Sequence, residues 1–131
     1  MRAWVWKRCT FDAAHQLPGY PGDCARIHGH TYIVELGLLT TPVPERGYDI
    51  DMKEIGEFLK ANVLGRFDHH FINDKMPGCP STAENIAFAI AEDALRFFNR
   101  QVKVRVYETP DSWVEIHEAP KATNLHPLEV S

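Results

Sequence analysis

The chain has 131 residues, 44% hydrophobic and 24% charged, which suits one globular domain that can bury a core without disulfide support. Its net charge of −4 excludes a broadly basic nucleic-acid-binding face but still allows an anionic small molecule held by a few placed cations. Three cysteines, odd in number and far apart, give no disulfide framework and predict a reducing, cytoplasmic setting. Charge by residue 7 and the lack of any long apolar run predict neither an export leader nor a membrane span.

Residues 3–12 alternate loosely around Trp4, Val5, Trp6 and Phe11 and predict a strand. Residues 18–22, rich in Pro and Gly, predict a loop. Residues 31–40 are β-branched and aliphatic and predict a second strand, with His28 and His30 at its entrance. Asp51 is a candidate N-cap with Glu54 three residues on. Met52, Ile55, Phe58, Leu59 and Val63 follow at helical spacing. Ser81 or Thr82 caps a second helix whose apolar face carries Ile86, Ile90, Leu95 and Phe98. Val102, Val104 and Val106 alternate with polar residues in a third strand, and Trp113, Val114 and Ile116 form a fourth. Two hairpins around two helices predict an α+β fold, an antiparallel four-stranded sheet with both helices on one face. One domain spans 1–131, with its core at about 4–118 and a tail over 119–131.

Cys24-Ala25-Arg26-Ile27-His28-Gly29-His30 is the stretch richest in chemistry. In extended chain, His28 and His30 point to one side, and Gly29 between them allows close approach. With His15 upstream, three imidazoles make a zinc site with an open fourth position, the catalytic layout. Cys24 as a fourth ligand is the alternative, a structural site, and a histidine at any one of these positions is also an ordinary surface or core residue. Cys24 is either a small buried hydrophobe, the reading taken for Cys9 and Cys79, or a thiolate favoured by Arg26 and a nearby ion.

Asp68-His69-His70 reads two ways. Asp can orient an imidazole that exchanges protons with a thiol, or the run ends a helix where histidine meets the negative dipole end. Glu108 shares the parity of the buried valines. Its carboxylate can bind the N–H edge of a guanidine-like ring through two hydrogen bonds, or it is an exposed strand end.

Five blocks occur together in order: Phe11-Asp12-Ala13-Ala14-His15-Gln16-Leu17-Pro18, the Cys24 to His30 stretch, Phe67-Asp68-His69-His70-Phe71-Ile72-Asn73-Asp74, Ser81-Thr82-Ala83-Glu84-Asn85, and Val106-Tyr107-Glu108-Thr109. In them the chain resembles the 6-pyruvoyltetrahydropterin synthase/6-carboxytetrahydropterin synthase family over residues 4–118. The resemblance implies one zinc ion per subunit on His15, His28 and His30. It implies Cys24 as proton-transfer base, Asp68 and His69 as its relay, and Glu108 as the pterin anchor that tunes protonation. Thr82 and Glu84 would help bind the pterin, Arg26 and Lys103 are candidates for a triphosphate, and His70 receives no role.

The three-residue gap between Cys24 and His28 is similar to that of the bacterial 6-carboxy enzymes. These convert 7,8-dihydroneopterin triphosphate to 6-carboxy-5,6,7,8-tetrahydropterin, acetaldehyde and triphosphate, feeding queuosine and other deazapurines. The implied architecture is the tunnelling fold, with subunit sheets joined into a barrel, active sites at interfaces, and trimers paired into homohexamers. The alternatives are 6-pyruvoyltetrahydropterin synthase activity or a non-catalytic zinc- or pterin-binding protein. Family members that cleave the side chain for folate carry a Glu near the Cys position, and none lies between Pro18 and His28.

Overall fold

The structure, a computed structural model, describes residues 1–121. Most of the expected tail therefore lies outside the described residues. Strand β1 (Ala3–His15) and strand β2 (His28–Thr40) form a long antiparallel hairpin. Its register runs from Ala3 opposite Thr40 to His15 opposite His28. Strands β3 (Val102–Thr109) and β4 (Ser112–Glu118) form the second hairpin, and β3 pairs antiparallel with β2. The sheet order is β1-β2-β3-β4, the four-stranded antiparallel sheet that the alternation predicts.

Both strands of the first hairpin outrun the prediction. Ala13 and Ala14 carry little β preference, yet they are strand residues because His30 and Gly29 pair with them. A single turn of 3-10 helix at Asp23–Ala25 lies in the connection, too short for any periodic signal.

Helix α1 (Met52–Leu59) runs through a π turn at Lys60–Leu64 into α2 (Gly65–Phe67). Asp51 caps it by accepting the Lys53 N–H at 2.9 Å. Ile55, Phe58, Leu59 and Val63 are buried as the spacing predicts, but Met52, in the first turn, is exposed. A four-residue helix α3 (Ile72–Lys75) follows, and then α4 (Ala83–Phe98). Thr82 is the α4 cap, accepting the Asn85 N–H at 3.2 Å, and Asn99 closes the helix in a left-handed conformation.

Alternation divides the sheet into two faces. Phe11, Tyr32, Val34, Leu36, Leu38, Val102, Val104 and Val106 face the helices and join Ile55, Phe67, Ile86 and Ile90 in one core. Phe11 stacks between Tyr32 and Phe67, with ring centroids at 4.9 and 5.7 Å. Each such side chain, fully buried, contributes roughly 1.5–3 kcal/mol. The opposite face carries Trp4, Trp6, Arg8, Glu35, Lys103, Arg105 and Glu115, knitted by ion pairs such as Arg8–Glu35 at 2.7 Å. Cys79 is exposed, against the buried reading, because it follows Gly78 in an open turn before α4. Cys9 is half-buried, and burial pushes its thiol pKa up to about 11. Among the described residues no helix is long and apolar enough to cross a membrane.

Candidate active site

The register of the first hairpin builds the site. His15 and His28 are a directly opposed pair at its end, and His30 lies opposite Ala13. All three imidazoles project to the helix-facing side. The ring centroids are 4.4 Å apart for His15 and His28, 5.1 Å for His15 and His30, and 5.0 Å for His28 and His30. One nitrogen from each ring lies within 4.8 Å of the others.

Backbone carbonyls set two of the tautomers. His15 Nδ1–H donates to the Ser81 carbonyl at 2.7 Å, and His28 Nδ1–H donates to the Arg26 carbonyl at 2.8 Å. A carbonyl only accepts, so Nδ1 carries the proton and Nε2 keeps its lone pair. The Nε2 atoms of His15 and His30 are buried with no hydrogen-bond partner among the described residues. A buried lone pair left unmatched is costly, and a shared cation is what would satisfy such a set. His30 is held below the usual histidine pKa, first by burial and then by His15 and His28, against an opposing pull from Glu108. Imidazoles kept neutral are the form that binds transition metals. The residues present fit a metal ion.

Glu108 sits near the end of β3, where the pairing with β4 slips between Tyr107 and Thr109. Its Oε2 is 3.7 Å from His30 Nε2. The carboxylate is brought to the histidines, on the side its parity predicts. Tyr32 is fully buried beneath them, its ring centroid 5.4 Å from that of His30, and its hydroxyl has no partner among the described residues.

At Asp68 and His69 a helix end and an Asp–His contact coincide. The helix ends at Phe67, Asp68 is extended, and His69 takes a left-handed φ of 60°. That backbone turn folds the Asp68 carboxylate onto its own neighbour, with Oδ1 3.0 Å from His69 Nδ1. The Asp12 N–H donates to the same Oδ1 at 3.1 Å. This bond leads the effects that hold the Asp68 carboxyl below the usual range. His69 is 78% exposed at the side-chain level, and it lines a cleft with Asp12, Gly29, His30, His70 and Phe71.

Cys24 is half-buried on the 3-10 turn, and its carbonyl accepts the Leu17 N–H at 2.8 Å. Cys24 is not among the residues that line the cleft holding His69. Thr82 is engaged as the α4 cap, and Glu84 is exposed in the first turn of that helix. Arg26 is exposed beside His28, whereas Lys103 lies on the helix-free face, its Nζ 4.3 Å from the centre of the Trp4 ring. Within one chain, Lys103 is therefore on the face opposite the histidines. The sequence reading missed Ser81 as a partner of His15, and also Asn73 and Gln16, which surround it. Asn73 and Gln16 stand inside two of the quoted blocks, and that was the signal available.

Fold and site define an α+β protein with a three-histidine centre able to hold a metal ion. A model of the 6-pyruvoyl tetrahydropterin synthase family matches residues 4–119, and the chain belongs to that family. It is 35% identical over 97 residues to the 6-carboxy-5,6,7,8-tetrahydropterin synthase of Synechocystis, covering 69% of this chain and 75% of that one. It is 32% identical over 107 residues to a putative enzyme of the same name from Archaeoglobus fulgidus, covering 82% and 89%. Among solved structures, the 6-pyruvoyl tetrahydropterin synthase of Caenorhabditis elegans superposes with a TM-score of 0.78 at 21% identity. That match covers 91% of this chain and 97% of the other, and it shows the shared tunnelling fold.

Proposed function

We propose that the chain is a zinc-dependent 6-carboxy-5,6,7,8-tetrahydropterin synthase. In this reading it converts 7,8-dihydroneopterin triphosphate to 6-carboxytetrahydropterin, acetaldehyde and triphosphate, as a cytoplasmic step toward queuosine. The observation that carries the reading is the convergence of His15, His28 and His30 beside Glu108, with the Nε2 atoms of His15 and His30 buried and unpartnered among the described residues. The names of the relatives support the choice of product.

His15, His28 and His30 would hold the zinc, which when bound would supply Lewis acidity at the substrate's side chain. Glu108 accepts N–H groups of the pterin ring and keeps the ring beside the histidines. Thr82 and Glu84 flank the pterin from the start of α4. Cys24 moves a proton between side chain and ring. Asp68 accepts His69 Nδ1–H, which leaves Nε2 free to exchange the opposite proton. In this reading the chain works as a barrel-forming homo-oligomer, a hexamer built from two trimers, with active sites between subunits.

The test is to incubate zinc-loaded protein with 7,8-dihydroneopterin triphosphate and identify products by mass spectrometry. The 6-carboxy product with acetaldehyde is expected. Formation of 6-pyruvoyltetrahydropterin would move the chain to the other branch, and unreacted substrate would make it a binding protein.

A further inference from the structure

The outer edge of β1 is not free at the site. His69 N–H donates to the Asp12 carbonyl at 2.7 Å, and Ala14 N–H donates to the His70 carbonyl at 3.2 Å. These two rungs lay residues 69–71 along β1 as a short parallel strap. At the next alternate position, Gln16, a side chain takes over. Asn73 Oδ1 accepts the Gln16 N–H at 3.0 Å, and Asn73 Nδ2 donates to the Gln16 carbonyl at 2.8 Å. A backbone N–H only donates and a carbonyl only accepts, so this pair fixes which way the amide faces. The Ser81 hydroxyl donates to the same Oδ1 at 2.9 Å, while the Ser81 carbonyl accepts His15 Nδ1–H at 2.7 Å.

Gln16 carries the contact onward. Its side-chain Nε2 donates to the Ala25 carbonyl at 3.0 Å, and the next residue, Leu17, donates its N–H to the Cys24 carbonyl at 2.8 Å. Asn73 therefore grips one residue that adjoins His15 in sequence and reaches the Cys24 turn through its side chain. The three sequence-distant pieces of the site, His15, Cys24 and the Asp68–His69 strap, are all registered on this grip.

We infer that Asn73 is a positioning residue, which with Ser81 sets the orientation of His15 and, through Gln16, the placement of the Cys24 thiol. The inference rests on the assignment of His15 to zinc and of Cys24 to proton transfer. A surface amide that only tied two loops together would need neither the buried Ser81 donor nor the link to Ala25. Partners that orient metal-binding histidines typically change affinity by about 10- to 100-fold when removed.

The test compares zinc-loaded wild type with Asn73→Ala, Asn73→Asp, Ser81→Ala and Gln16→Ala. Zinc affinity is read by competition with a chromophoric chelator. The rate of Cys24 alkylation by iodoacetamide is read peptide by peptide, apart from Cys9 and Cys79. Asn73→Ala is expected to weaken zinc binding by about 10-fold or more and to change the Cys24 rate severalfold. Asn73→Asp, which keeps the Oδ1 acceptor, should recover part of both. Ser81→Ala should weaken zinc binding to a smaller extent. Gln16→Ala keeps the backbone grip, so it should shift the Cys24 rate while zinc affinity holds. A folded Asn73→Ala protein with wild-type zinc affinity and wild-type alkylation overturns the inference. If that variant does not fold, wild-type values in both Ser81→Ala and Gln16→Ala overturn it instead. Neither readout uses a pterin, so a chain that binds zinc tightly but turns over no substrate refutes the proposed function and leaves this inference standing.

Discussion

His30 Nε2 and Glu108 Oε2 lie 3.7 Å apart, on the neighbouring strands β2 and β3. The distance is too long for a hydrogen bond, and the carboxylate remains a third exposed. Glu108 is thus turned to the histidines with no hydrogen bond to its side chain among the described residues, and its proposed role as pterin anchor can be tested directly. Glu108→Gln removes one charge-assisted acceptor and keeps the shape. We expect kcat/KM to fall by about 10- to 100-fold while zinc content stays at wild type. Steady-state kinetics with parallel metal analysis decides it, and unchanged kcat/KM would remove Glu108 from substrate binding.

Proton competition at the histidines has a defined sign. Burial leads the effects that depress His30, so the folded chain resists protonating it more than the unfolded chain does. The metal-free protein should then lose stability as pH falls below the usual histidine value of about 6.5, because the unfolded chain takes up the proton more readily. Zinc binding should be nearly flat above neutrality and weaken only in acid. Thermal melts of metal-free protein and chelator competition between pH 5 and 8 check both. Stability that rises on acidification through this range contradicts the assignment.

The strands, the Asp51 and Thr82 caps and the pairing of His28 with His30 were legible because each is a local pattern. The grouping of His15 with His28 and His30 was also expected, but not the pairing that makes it, a register running thirteen residues to the far end of a hairpin. The run at Asp68-His69 gave two readings because neither propensity nor period reports a left-handed φ at a non-glycine residue. Asn73 stood in plain view within a matched block. Its partner is a backbone position 57 residues away, and backbone groups leave no mark on sequence.

Cys24→Ala separates base from ligand. The three histidines supply a complete set of nitrogens without the thiol, so zinc should be retained in full. Turnover should fall by about 10²- to 10⁴-fold, the range for loss of a positioned proton-transfer group. Loss of zinc together with activity would restore Cys24 as a fourth ligand. Full activity in the variant would end its role as a base.

Asp49 and Arg100 tie the connection after β2 to the end of α4. Arg100 Nη1 donates to Asp49 Oδ2 at 2.8 Å and to the Leu39 carbonyl at 3.2 Å, and the Thr41 N–H donates to Asp49 Oδ2 at 2.8 Å. The Arg100 hydrogen bond leads the effects that hold the Asp49 carboxyl below its usual range. A depressed carboxyl contributes stability above the unfolded value near 3.8 and loses it as pH falls through the folded value. Asp49→Asn should cost about 1–2 kcal/mol at pH 7, with the difference from wild type shrinking below about pH 4. Urea unfolding at both pH values measures it, and a constant difference would show that charge is not the cause.

Gly37 marks a constraint on the helix-free face. It pairs directly with Trp6, and the indole lies across it to reach Arg105, whose guanidinium carbon is 4.4 Å from the ring centre. A Cβ at position 37 would come within 2.8–2.9 Å of the Trp6 ring atoms. The ring cannot yield without giving up its stacking on Arg105. Gly37→Ala should therefore destabilise by about 1–3 kcal/mol, the usual cost of overpacking. In a Trp6→Ala background the same substitution should cost almost nothing, since the clash has gone. Equal costs in the two backgrounds would locate the penalty in the β2 backbone instead of under the indole.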